Sequence, residues 1–361
     1  TGGVFKKNYI CRDFEKIGAV LMNDSSSIFE IIYETTQASG NRLNIKDLCN
    51  IAGVSRSGYY AWLNAAPLRA AREERDRRDF DLILRAYNMD GYPKGAREIH
   101  MTLLHMTPPI IMNRKKVLRL MNKYNLICPL RKLNPRRKIL RDLQTGNVVA
   151  NLLKRRFEEF GPRTVLLTDI TYLPYNGIFA YLSTILDAFT KQILAYVVSD
   201  SLEVDFVLDT VKALLRDHPI ALNTMTIIHS DQGSHYTSYD FVDLLRKSNL
   251  RRSMSRRGNC WDNAPQESFF GHMKDCIRDK LAVATSFEEV KTIIDDYIDY
   301  YNNRRYQWDL AKLSPNEFYN FVTTGKYPLD VPYVPAPPEI TRDPCELAVD
   351  AVIGSLFGQI P

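Results

Sequence analysis

The back half of this chain predicts an α/β fold, a five-stranded mixed sheet with helices on both faces, preceded by all-α modules. Three observations lead there. Near residue 161 the apolar pattern changes from helical spacing to runs of β-formers. Those runs come first as three in succession and then alternate with helical segments. Charge divides at the same place: residues 1–160 carry 29 Lys+Arg against 16 Asp+Glu, and residues 161–361 carry 19 against 26. At 361 residues, 45% hydrophobic and 25% charged, the chain has the composition of a globular protein with room for two or three domains. A basic front half joined to a carboxylate-bearing back half suggests a polyanion-binding module attached to a metal-dependent one.

Residues 1–24 show little pattern, and an apolar-periodic helix is expected from about Ser27 to Ser39. A short helix over Ile45–Ala52 follows, with a tight turn at Gly53 and a second helix capped by Ser55, the grammar of a helix-turn-helix. Its second helix would offer Arg56, Ser57 and Tyr59 to a major groove. Residues 68–88 read as a strongly charged helix. A second helix pair is expected at Ala96–Met106 and, capped by Asn113, at Arg114–Leu126. There Val117, Leu118 and Met121 form the expected buried side, and Arg114, Lys115, Lys116 and Arg119 the cationic one. The run at 131–141, with Arg136, Arg137 and Lys138, reads as a basic connector that tracks phosphates.

Strands are expected at Thr164–Pro174, Ile178–Ala188 and Gln192–Ser199, with a turn at Asn176-Gly177. A helix (Glu203–Asp217), a strand (Met225–His229), a helix (Tyr239–Ser248) and a short strand near Arg251–Ser255 follow. Two further helices are expected, one bearing Glu267 and one over Phe287–Asn302. Three antiparallel strands followed by alternating elements make the ribonuclease-H-like arrangement. The expected domains are thus 1–66 and 67–130 (helix-turn-helix modules), 131–160 (basic linker), 161–327 (core) and 328–361 (a Pro-rich arm).

Three carboxylates stand at element ends in this scheme. Asp169 interrupts the apolar strand Val165–Leu173, Asp231 follows the strand Thr226–Ser230, and Glu267 lies early in a helix that opens Asn263-Ala264-Pro265-Gln266. That opening reads as a capping Asn, an early Pro and a capping-box Gln. A carboxylate in a buried strand costs several kcal/mol unless paired or metal-bound. Three of them read as a cage for a hard cation, the equipment of phosphoryl transfer on nucleic acid. Lys274 and Arg278 share the helix face of Glu267, beside the apolar stripe Phe270, Met273, Ile277 and Leu281. Those cations, and Arg256 and Arg257 upstream, are placed to reach DNA phosphates.

Several classes are excluded. The six cysteines form no Cys-x-x-Cys pair, which speaks against a disulfide framework or a zinc finger. Nothing near the N-terminus resembles a signal peptide, no stretch reads as a membrane span, and no phosphate-binding Gly-rich loop for ATP is present, so a cytoplasmic setting is expected.

The segments Leu167–Tyr172, His229–Tyr236 and Ser253–Phe270, with Tyr300–Tyr306 and Leu313-Ser314-Pro315, resemble the bacterial insertion-sequence transposases of the IS-three family, whose catalytic domain is shared with retroviral integrases. The likeness spans about 160 to 322, and in the front half Val54–Trp62 and Lys116–Met121 are also similar. It implies that Asp169, Asp231 and Glu267 are the acidic triad, with 35 residues between the last two and a basic residue, Lys274, seven positions past the Glu. It also implies two Mg²⁺ ions (Mn²⁺ as substitute), nicking of the element's terminal inverted repeats, joining of 3′-ends to target DNA, and a bacterial, nucleoid-associated setting. No long heptad run is present, so the chain looks like the product of the family's downstream reading frame, or a fusion lacking most of the upstream one.

A catalytically inactive DNA-binding regulator would lack a triad carboxylate, and all three are here. A ribonuclease or repair nuclease of this fold would not need two helix-turn-helix units. A retroelement integrase would want a His/Cys zinc site near its start; His100 and His105 have no cysteine partners at ligand spacing. Because one chain holds one triad and joining needs two DNA ends, a dimer or higher oligomer on DNA is expected. Its contact surfaces would come from the 68–88 helix, the Tyr-rich segment 297–306 or the Pro-rich arm. The alternative for Tyr297, Tyr300, Tyr301 and Tyr306 is that they complete the core.

Overall fold

Five strands make the expected mixed sheet: β1 (Val165–Tyr175), β2 (Ile178–Asp187), β3 (Ile193–Ser199), β4 (Ile227–Ser230) and β5 (Arg251–Met254), in the order β3-β2-β1-β4-β5. The computed structural model describes residues 25–39, 41, 43–129, 160–219, 222, 225–231, 233–254, 263–332 and 334–340. Strands β1, β2 and β3 pair antiparallel, and the β1–β2 turn is made by Asn176 and Gly177, both at positive φ (42° and 76°). Such a pair gives a twist that matches the flanking strands. Strands β4 and β5 run parallel to β1. Parallel pairing needs crossover connections, which is why helices come between successive strands only after β3. This is the ribonuclease-H-like arrangement.

Alternation along β1 sends Val165, Leu167, Leu173 and Tyr175 to one face and Leu166 and Ile170 to the other. Two helices line the first face in the helical segment after β5 (Ala264–Val283 and Phe287–Asn303), contributing Phe269, Phe270, Met273, Ile277, Ile294 and Tyr297 to its core. The second face is covered by the helices Asp205–Asp217 and Tyr239–Lys247, through Phe206, Val211, Phe241 and Leu245. A last helix, Pro315–Thr324, was not expected from the sequence. Its signal is a capping box in which Ser314 and Glu317 satisfy each other's backbone N–H, and Gly325 ends it at φ 71°.

The chain divides into two units, residues 1–81 and 82–361. In chain order the helices are α1 (Ser25–Gln37), α2 (Ile45–Ile51), α3 (Arg56–Asn64), α4 (Ala66–Asn88), α5 (Ala96–Leu104), α6 (Arg114–Lys123), α7 (Asp205–Asp217), α8 (Ser234–Thr237), α9 (Tyr239–Lys247), α10 (Ala264–Val283), α11 (Phe287–Asn303) and α12 (Pro315–Thr324). In the first unit Ile32, Leu48, Cys49, Ala52 and Tyr59 form the core. Asn44 caps α2 and Ser55 caps α3, with Gly53 at φ 68° making the turn between them. The division falls inside α4 rather than at the expected 66/67. The second helix pair belongs to the same unit as the sheet because its own side chains pack there: Tyr92 stacks on Tyr300 at 4.3 Å between centroids, and Glu98 accepts from the Tyr300 hydroxyl at 2.6 Å. Within α6 the buried residues are Val117, Leu120 and Met121; Leu118, expected inside, is 51% exposed, since Leu120 completes the stripe at helical spacing. The basic run with Arg136, Arg137 and Lys138 lies outside the described residues. Among the described residues, no helix is long and apolar enough to cross a membrane.

Candidate active site

Strand register builds the site. Parallel pairing matches Val165 with Ile227, Leu166 with Ile228 and Leu167 with His229. Carried on by two residues, the same offset sets Asp169 beside Asp231, the first residue past the end of β4. Because β4 stops at Ser230 while β1 runs on to Tyr175, the sheet leaves a notch at this point. Ligands of open α/β sheets sit at such carboxyl ends of strands. Across the antiparallel pair, Asp169 faces Thr184 of β2. Glu267 is the fourth residue of α10, which packs on the same face.

Electrostatics tie the three acids together. Burial pushes the Asp169 carboxyl up to about 7, and the charges of Asp231 and Glu267 push the same way; the Ile170 N–H and Lys274 oppose them. Burial lowers the Lys274 ammonium, and Asp169 partly restores it. Beneath them, the buried Tyr236 hydroxyl lies 3.5 Å from Thr168 Oγ1. Its ionisation is pushed well up by burial and by the charges of Asp169 and Asp231.

Two of the acids are turned back on their own backbone. Asp169 Oδ1 accepts from Ile170 N–H at 2.8 Å, and Asp231 Oδ1 from Gly233 N–H at 2.9 Å. Among the described residues, no three His, Cys, Asp or Glu side chains converge closely enough to hold a metal ion. The donor chemistry nonetheless fits a hard divalent cation. All three groups are carboxylates, and the charges of Asp231 and Glu267 add to the burial that raises Asp169, an effect a cation would offset.

The remaining expected residues separate. Arg278 is exposed and pairs with Asp275 at 2.6 Å, away from the acids. Arg256 and Arg257 lie outside the described residues. Arg56 and Ser57 are exposed on α3, and Arg114, Lys115 and Arg119 on α6, with Lys116 half-buried. Tyr59 is a correction: at 2% exposed it stacks on Trp62 in the core of the first unit and has no face for DNA. The Tyr-rich segment is another. Tyr297, Tyr300 and Tyr301 are buried against Phe269 and Tyr92, so they complete the core and offer no contact surface. The expected α10 cap also differs. Asn263 makes no side-chain capping bond, and Gln266 is wholly buried and donates to Thr184 Oγ1 instead. Sequence reading missed Thr184, Gln266 and Tyr236. Only Gln266, polar on the inward side of an apolar stripe, carried a signal.

Two family profiles, both described as integrase core domain, match residues 143–260 and 267–322. The insertion element IS600 uncharacterized 31 kDa protein of Shigella sonnei is 31% identical over 277 residues, covering 75% of this chain and 97% of that protein. Transposase InsF for insertion sequence IS3A of Escherichia coli (strain K12) is 30% identical over 281 residues, covering 77% of this chain and 94% of that protein. Among solved structures, the HTLV-2 integrase catalytic core domain in complex with magnesium gives a TM-score of 0.36 at 14% identity, over 45% of this chain and 99% of that one, too loose a likeness to argue from. With its integrase-type core and a transposase aligned over nearly its whole length, this chain belongs to the IS3 family of insertion-sequence transposases.

Proposed function

We propose that the protein binds the terminal inverted repeats of its insertion element and catalyses 3′-end nicking and strand transfer through Asp169, Asp231 and Glu267. The observation that carries this is the register: the β1–β4 offset sets two acids side by side at the notch, and Glu267 acts on Asp169 from α10. The three carboxylates would hold two divalent ions, Mg²⁺ with Mn²⁺ as substitute. When bound, these supply Lewis-acid activation of the attacking oxygen and stabilise the departing one. Asp169 must give up its proton for that role, and Lys274 beside it supplies positive charge toward a phosphate. In the first unit, Arg56 and Ser57 are the groove-reading candidates; in the second, Arg114, Lys115, Lys116 and Arg119 are phosphate contacts.

Joining requires two ends, and each chain carries one triad, so the active species is a dimer or larger assembly on DNA. It works at the bacterial nucleoid. The test is direct: incubate the protein with labelled element-end DNA and Mg²⁺, and look for a nick with a free 3′-hydroxyl and a joined product. Light scattering of the same complex must give more than one chain. A complex that binds ends and never cleaves would instead mark a DNA-binding regulator.

A further inference from the structure

Helix α10 carries Glu267, yet its N-terminus lacks the usual lock. Asn263 stands at the cap position with φ −115° and ψ 21° and makes no side-chain capping bond. Its Oδ1 is buried without a hydrogen-bond partner among the described residues. Something else must set the rotation and depth of the first turn, because a small slip there would swing Glu267 across the notch.

Gln266 does this. Its side chain is wholly buried, and its amide donates to Thr184 Oγ1. That is its one side-chain hydrogen bond among the described residues, since the Oε1 end is buried without a partner. Thr184 is itself wholly buried and is the residue directly opposite Asp169 in the β1–β2 register. Directly opposite residues share a face of the sheet, so Thr184 and Asp169 both look toward α10. Successive helix residues are about 100° apart, so pinning Gln266 inward leaves Glu267 turned to the exposed rim of the same turn. One bond thereby links the strand pair that carries Asp169 to the helix turn that carries Glu267.

We infer that Gln266, through Thr184, is a positioning residue that holds Glu267 in register with Asp169 for the metal-dependent step. This rests on the triad reading proposed above. It gives a role to a buried amide whose neighbours in the stripe are all apolar.

The test compares Gln266→Met and Thr184→Val, which remove the bond, with Thr184→Ser, which keeps the acceptor. In the full-length protein on end DNA, Gln266→Met should lower the joining rate by about a hundredfold, the scale set by a displacement of about 1 Å at a reacting centre. DNA affinity should stay unchanged. Calorimetric titration with Mn²⁺ should show metal binding weakened several-fold, and Thr184→Ser should restore both rate and metal binding where Thr184→Val does not. The double variant should lose no more than the worse single one, since both remove one interaction. If Gln266→Met does not fold, the Thr184 pair decides alone. Wild-type rate and Mn²⁺ binding in Gln266→Met overturn the inference, as does a Thr184→Ser variant impaired as badly as Thr184→Val. If the wild type binds no Mn²⁺, or Asp169→Asn still joins DNA, the triad reading itself fails and takes this inference with it.

Discussion

Two polar clusters in the unit 82–361 face opposite tasks. Where residues 90–105 meet α11 and α12, opposite charges and donors meet acceptors. The Tyr300 hydroxyl donates to Glu98 at 2.6 Å, and Arg304 reaches both Asp90 at 3.2 Å and Asp299 at 2.7 Å. His105 Nε2 lies 3.2 Å from Glu317 Oε2. The wholly buried Lys94 lies 3.5 Å from Asp90 and donates to Met89 O. Burial alone would raise the Glu317 carboxyl, but hydrogen bonds from His105 and Ser314 outweigh it and hold it low. At the notch the balance is reversed: burial drives Asp169 up to about 7, the charges of Asp231 and Glu267 push the same way, and Lys274 is the cation that opposes them. A cluster whose charges cancel holds structure. One that leaves negative charge in excess at the carboxyl ends of central strands has the charge to attract a cation.

The largest test of that contrast removes charge at the notch. Asp169→Asn, Asp231→Asn and Glu267→Gln should each lower nicking and joining by about a thousandfold or more, as several kcal/mol of lost transition-state stabilisation dictates. End-DNA binding in a gel-shift assay should remain. One such variant with near-normal strand transfer would end the assignment of the triad.

A milder break comes from Gly233. A Cβ there would lie 2.9 Å from Asp231 Oδ1, so Gly233→Ala must displace that carboxylate. Because only the end of a side chain has to move, activity should fall roughly ten- to a hundredfold with little change in melting temperature. An equal loss of stability and activity would show that the turn, rather than the acid, had been damaged.

The pH dependence sharpens the comparison. Asp169 has a folded pKa near 7 against an ordinary 3.8, so between those values the folded protein holds the proton more tightly than the unfolded chain. That contribution to stability is fully present below the lower value and is lost as pH rises through the upper one. In EDTA, wild type should therefore lose more melting temperature than Asp169→Asn between about pH 5 and about pH 8. Mn²⁺ affinity should strengthen over the same window as metal displaces the proton. Parallel stability curves for the two proteins would show that Asp169 is not the group responsible.

The smallest effect belongs to the balanced cluster. Tyr300→Phe leaves Glu98 without its 2.6 Å donor and should cost about 2 kcal/mol in denaturant unfolding. Turnover per folded molecule and Mn²⁺ titration should not change. A catalytic defect there would erase the distinction between the two clusters.

Much of this was legible in the chain. The three long strands carried their own periodicity, and Asn176-Gly177 marked the hairpin, so the antiparallel run of three strands and most element bounds followed from local pattern. Asp169 stood out because a carboxylate among β-formers has few explanations. Less legible were positions whose meaning depends on what faces them. Tyr59 read as a groove contact and Tyr300 as either contact surface or core, and the structure buries both. Leu118 was expected inside, but helical spacing from Val117 and Met121 favours Leu120, and it is Leu120 that is buried. Gln266 matched a capping box, but Thr184 claimed its amide from β2, 82 residues away.

The sequence by itself determined most of the elements, the family, and which acids are candidates, because these depend on residue type and short spacing. Tertiary structure decided the β1–β4 register whose offset brings Asp169 level with Asp231, the packing of the second helix pair in the same unit as the sheet, and the Gln266–Thr184 hydrogen bond. Those outcomes rest on contacts between residues far apart in the chain, where hydrogen-bond partners and burial are chosen by the fold as a whole and no local pattern encodes them.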